Sequence, residues 1–187
     1  MQIRSIEAFP IRLPLKQVLT LARGVSRTLE EGKQIILVKI TGEDGTVGWG
    51  EAGPSRRWSA ETTQSTHSSI VNYLAPVLIG RDAFDIAGAH AAMDKELAPG
   101  LDPGQPIAKA AIDLALHDLV AKSLGIPLQA YFGHKTLDRV RLAYLVSAPD
   151  PEATAEVVQR GLDAGYRDFK LKVGSDLATD IRNLEVA

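Results

Sequence analysis

The 187-residue chain contains no cysteine. That excludes disulfides, thiolate metal sites and a cysteine nucleophile, and it suits a reducing cytoplasm. No apolar run approaches the ~18 residues of a membrane span. The start, Met1-Gln2-Ile3-Arg4-Ser5-Ile6-Glu7, lacks the basic segment, apolar stretch and small-residue cleavage site of a signal peptide. A cytoplasmic, soluble protein with no membrane partner is expected. The formal net charge of -2, without a dense Lys/Arg stripe, gives no electrostatic case for nucleic acid. There is no His-x-x-x-His pair, no Gly-x-Ser-x-Gly elbow and no phosphate-binding loop. His67, His90, His117 and His134 are scattered. His117 falls on an apolar helix and is expected to be a satisfied structural histidine; His67 and His90 are expected on helix surfaces, and His134 in a loop.

What is present reads in two parts. Residues 2–13 alternate like a first strand, and residues 15–33 read as a long loop. The runs 34–41 and 46–52, joined by Gly42-Glu43-Asp44-Gly45, predict a hairpin, since Asp-Gly is a strong hairpin turn signal. A second loop, Gly53-Pro54-Ser55-Arg56-Arg57-Trp58, precedes a helix for which Ser59 is the expected cap. Further helices are expected over 83–97 and 106–124. The latter carries Ile107, Ile112, Leu114, Leu116, Leu119, Val120 and Leu124, so it should be a buried central helix ending at Gly125. After Gly133 the pattern becomes β-α-β-α: a strand over 139–146, a helix capped by Asp150 with Pro151 first, a strand near 168–174, and a helix from 176.

The second of these strands carries an oddity. In Asp168-Phe169-Lys170-Leu171-Lys172-Val173-Gly174 two lysines alternate with apolar residues, so both ammonium groups share one face. A strand between helices is usually apolar on both faces. The pair therefore marks either a solvated edge strand or a site that needs two crowded cations, where the neutral, proton-accepting form of one lysine is favoured.

Three segments together resemble the enolase superfamily, in particular its mandelate racemase and muconate lactonizing enzyme branch. They are the hairpin from Leu37 through Ala52, the helix Ala108-Lys109-Ala110-Ala111-Ile112-Asp113-Leu114-Ala115-Leu116-His117-Asp118-Leu119 with Lys122, Gly125, Pro127 and Gly133, and the Lys-x-Lys run at 170–172. The resemblance covers nearly the whole chain. It implies an α+β capping domain (residues 1–134) followed by the first βα units of a TIM-like barrel (residues 135–187). It further implies removal of the proton α to a substrate carboxylate and stabilisation of the enolate by Mg²⁺. Lys172 would be the base and Lys170 its electrostatic neighbour. The loops 15–33 and 53–58 would reach over the barrel mouth, making Arg23, Arg27, Arg56, Arg57 and Trp58 candidates to bind an anionic or aromatic substrate.

The segment from Arg139 to Ala187 is far short of the ~250 residues of such a barrel. The chain stops inside a helical pattern with no stop signal, and a continuation past Ala187 is expected. The Mg²⁺ ligands and the second acid/base are expected there. Glu51, Asp113, Asp118, Asp163 and Asp168 match no ligand position, so none is assigned to the metal. Asp113 and Asp118 read as packing or capping partners at the cap–barrel junction. The leading expectation is the N-terminal part of a racemase, epimerase or cycloisomerase that acts on a small carboxylate as a homo-oligomer. An acid-sugar dehydratase is the alternative within the superfamily. Outside it stand a non-catalytic module and an imine-forming lysine pair in a different βα barrel.

Overall fold

The computed structural model describes residues 1–16, 20–21, 24–25, 28–100, 104–133, 139–174 and 176–187. By internal contacts the chain divides into two units. One comprises Met1–Leu13 and Lys33–Lys135, the other Pro14–Gly32 and Thr136–Ala187.

The first unit is a three-stranded antiparallel sheet backed by helices. Strand β1 (Ile3–Leu13) pairs with β4 (Lys33–Gly42), and β4 pairs with β5 (Val47–Ala52). Between β1 and β4 the chain passes through the Pro14–Gly32 segment of the second unit, which forms two two-residue strands, β2 (Thr20–Leu21) and β3 (Gly24–Val25), paired antiparallel. The segment read as a plain loop thus contains a short ladder. Alternation on β4 sends Ile36, Val38 and Ile40, all fully buried, to one face. Phe9 and Trp49 stand on the other, with ring centroids 6.2 Å apart.

Helix α1 (Thr63–Ser68) continues through a π-helical turn (Ser69–Leu74) into α2 (Ala75–Leu78); α3 (Ile86–Glu96), α4 (Pro106–Ser123) and α5 (Leu128–Tyr131) follow. Helix α4 buries Ala108, Ala111, Ile112, Ala115, Leu116 and Leu119, a stripe at three- and four-residue spacing. Leu114 and Leu124, expected in the buried set, lie off that stripe and are each 49% exposed. The Gly-Trp-Gly run of β5 has a packing cause. A Cβ on Gly48 would run into the backbone carbonyl of Ala115, and one on Gly50 into that of Ala111. The two glycines let strand and helix backbones approach more closely than any side chain would permit. The outward edge of β5 is met by the same helix: the Trp49 amide donates to Asp118 Oδ2 at 2.7 Å, and Lys122 donates to the carbonyl of Val47 at 3.3 Å.

The second unit holds β6 (Ala143–Val146), α6 (Pro151–Asp163), β7 (Asp168–Leu171) and α7 (Leu177–Val186). Strands β6 and β7 are parallel, with Tyr144 opposite Phe169, Leu145 opposite Lys170 and Val146 opposite Leu171. Asp150 caps α6 by accepting from Ala153 N at 2.9 Å, with Pro151 at the first turn as expected. Strand β6 is shorter than its alternating sequence suggests. It begins at Ala143, and Val140 and Leu142, 75% and 66% exposed, lie outside it.

Candidate active site

The two lysines stand at the C-terminal end of β7. Tyr144 and Phe169 pack against α6, where Gly161 leaves room for both rings; their centroids are 6.2 Å apart. Alternation therefore places Asp168, Lys170 and Lys172 on the opposite face, beside Leu145 of the neighbouring strand. Regular strand pairing ends at Leu171, three residues short of the 168–174 run that the sequence pattern suggests. The extended path continues all the same, because Lys172 N donates to Val146 O at 2.9 Å. Lys170 is exposed and Lys172 half-buried. The lysine face is thus the strand surface turned away from α6.

Several carboxylates of this unit are engaged locally. Asp168 pairs with Arg141 Nε at 3.3 Å, and Asp163 accepts from Gln159 at 2.8 Å. Past the lysines, Gly174 N donates to Asp180 Oδ2 at 2.7 Å. Asp176 caps α7 through Thr179 N at 3.0 Å, and that hydrogen bond holds its carboxyl below the usual carboxylate range. Among the described residues no group of three His, Asp or Glu side chains could hold a metal ion. The described residues therefore offer no site that fits the expected Mg²⁺.

The second candidate region is the segment after β5. Pro54 is buried, while Arg56, Arg57 and Trp58 are exposed, Trp58 by 73%. Ser55 O accepts from both Trp58 N at 2.8 Å and Ser59 N at 2.7 Å, which closes a tight turn. Ser59, the expected helix cap, belongs to this turn instead, donating to Ser55 O at 3.1 Å or Glu61 O at 3.2 Å. The cap of α1 is Thr62, in a reciprocal capping box with Ser65. Arg23, Arg27 and His134 lie outside the described residues.

Sequence reasoning missed Glu61. It immediately precedes the cap of α1 and is only 2% exposed. Its carboxylate accepts from Ile107 N at 2.6 Å, Ala108 N at 3.1 Å and Thr66 Oγ1 at 3.1 Å. The available signal was a missing cap on α4: Gln105 precedes Pro106 and makes no side-chain capping bond. A helix of that length with its first amides buried needs an acceptor from elsewhere.

His90 and His117 fit structural roles. His90 Nε2 lies 2.6 Å from Asp113 Oδ1, and His117 Nδ1 lies 2.9 Å from Asp113 O. The His117 ring meets Tyr131 edge-on at 5.8 Å and Phe132 at a tilt at 5.1 Å. Asp113 and Asp118 thus serve contacts inside the first unit. No helix among the described residues is long and apolar enough to cross a membrane.

Comparison with known proteins agrees with this architecture. The chain is 31% identical over 185 residues to the N-succinyl-L-Arg/Lys racemase of Bacillus cereus, covering 99% of this chain and 48% of that protein. The crystal structure of that racemase superposes with a TM-score of 0.90 over 100% of this chain. A dipeptide epimerase from Enterococcus faecalis, solved with Mg and the dipeptide L-Leu-L-Tyr, gives a TM-score of 0.89 at 29% identity, covering 100% of this chain and 49% of that one. A chloromuconate cycloisomerase from Cupriavidus necator is 30% identical over 178 residues, or 94% of this chain and 45% of that protein. The chain spans about half the length of the curated relatives it matches. Residues 13–133 match the model of the mandelate racemase / muconate lactonizing enzyme N-terminal domain, and the chain, an α+β capping domain followed by two βα units, belongs to that family.

Proposed function

We propose that this chain is part of an enzyme that removes the proton α to a carboxylate in a racemase-, epimerase- or cycloisomerase-type reaction. The observation that carries the reading is the placement of Lys170 and Lys172 together at the C-terminal end of a parallel strand, on the face turned away from α6. This is the end of the strands at which barrel active sites are built. The Lys172 amine takes the α-proton and becomes an ammonium, while the electron pair moves onto the carboxylate as an enolate. Lys170, two residues away on the same face, offers a fixed cation to the substrate carboxylate. Arg56, Arg57 and Trp58 are proposed as substrate-binding residues. N-acylated amino acids and dipeptides are the first candidates, because relatives act on or bind them.

The complete enzyme is proposed to be a homo-oligomer with a TIM-like barrel that uses Mg²⁺. Mg²⁺ would stabilise the enolate charge, but no residue of this chain is assigned to it and no step above is routed through it. The 187-residue chain alone is proposed to be inactive. Solvent-proton exchange tests the reading. In D₂O, a panel of N-succinyl amino acids and dipeptides should lose the α-proton signal with the complete protein and keep it with Lys172→Ala. Undiminished exchange in that variant would sink the assignment.

A further inference from the structure

We propose that Ser59 and Glu61 are positioning residues that hold the Ser55–Ser59 turn in its binding shape before substrate arrives. The inference rests on the reading that Arg56, Arg57 and Trp58 meet the substrate. Two bonds to Ser55 O close the turn, and Ser55 N also donates to Ser59 Oγ at 3.2 Å. The Ser59 hydroxyl has one proton and faces two carbonyls, Ser55 O and Glu61 O. It therefore couples the turn to the residue that follows it by two.

That residue is firmly fixed. The Glu61 carboxylate is buried and receives three donors, two of them the backbone amides of Ile107 and Ala108 in the first turn of α4. Gln105, at the cap position of α4, has φ of 55°, a left-handed conformation uncommon for a side chain of its type. With no cap from Gln105, the helix amides and the macrodipole both draw the Glu61 carboxylate inward. The turn is thus strung between the buried Pro54 and an acid locked onto the central helix of its unit. A surface loop with exposed arginines and tryptophan would otherwise have to be ordered at each binding event, which weakens affinity.

The test uses the complete protein and reads the turn and the substrate separately. Ser59→Ala should speed hydrogen exchange of the Trp58 and Ser59 amides by about tenfold. It should raise KM for the best dipeptide or N-succinyl amino acid by roughly five- to tenfold and leave kcat within about twofold. Ser59→Thr, which keeps the hydroxyl, should restore both. Glu61→Gln should act in the same direction, because an amide can present an acceptor to only one of the two helix amides. Lys172→Ala should do the opposite, losing kcat while calorimetry shows unchanged affinity. That separates failure of the reaction assignment from failure of the positioning role. Faster amide exchange with an unchanged KM, or an unchanged exchange rate in Ser59→Ala, would overturn the proposal. So would the absence of binding by every member of the panel.

Discussion

The two units use the same alternating apolar grammar but close to different degrees. In the first, Ile36, Val38, Ile40, Leu74, Leu78, Ile112, Leu116 and Leu119 are fully buried in one cluster. In the second, the buried hydrophobics among the described residues are Val146 and Val158, while Val173, Leu177, Ile181 and Leu184 stand exposed. Thr154 Oγ1 and Asn183 Oδ1 in that unit are buried without a hydrogen-bond partner. The lesson is a division of labour: packing energy is concentrated in the first unit, and the proposed proton chemistry sits in the one with less of it.

The comparison can be tested first where its halves should separate most. Lys172→Ala should lower turnover by about 10³-fold, the scale of losing a general base, with no change in the melting of the first unit. A melting shift of both units together would show that stability and chemistry are not partitioned in this way. Next, Leu116→Ala should cost about 3 kcal/mol in denaturant unfolding, as a fully buried position, whereas Leu184→Ala, 67% exposed, should stay within about 0.5 kcal/mol. Equal losses would mean that the exposed face of the second unit is covered in solution. Gly50→Ala should cost roughly 2 kcal/mol, because the added methyl meets the Ala111 carbonyl and forces β5 away from α4.

The smallest effect is in acid. The N-terminal amine lies 3.0 Å from Asp82 Oδ1, and together with the Phe84 amide it lowers the Asp82 carboxyl; Asp176 is lowered by the Thr179 amide. A depressed carboxyl favours the fold above its unfolded value, 3.8 here, and that contribution fades as the pH falls through the folded value. Carboxyl NMR titration should place both midpoints below 3.8, one carboxyl in each unit. A midpoint at or above that figure would contradict the corresponding contact.

Local signals in the sequence were read well where the structure is set locally. Asp44-Gly45 made the hairpin, Asp150-Pro151 opened α6, and Gly125 followed the end of α4, because each depends on a few neighbouring dihedrals. The Lys-x-Lys alternation likewise located the candidate pair, although strand pairing stops one residue short of Lys172. What was not legible depends on partners distant in sequence. Ser59 and Thr62 are both capable caps, and the choice between them follows from Glu61 turning inward to amides 46 and 47 residues away. Gly48 and Gly50 read as ordinary strand glycines until α4 lies against them. The start of β6 at Ala143 is also tertiary, since pairing with β7 begins opposite Asp168 and leaves Val140 and Leu142 without a partner strand.

The contact of Asp118 and Lys122 with β5 has a further consequence. A strand at the rim of a sheet is a template on which another chain can zip up, and unguarded rims seed polymerisation. Here one acid and one base, a single helical turn apart, occupy the amide of Trp49 and the carbonyl of Val47. The two side chains act as a gatekeeper pair, closing the rim to recruitment of an additional strand without lengthening the sheet.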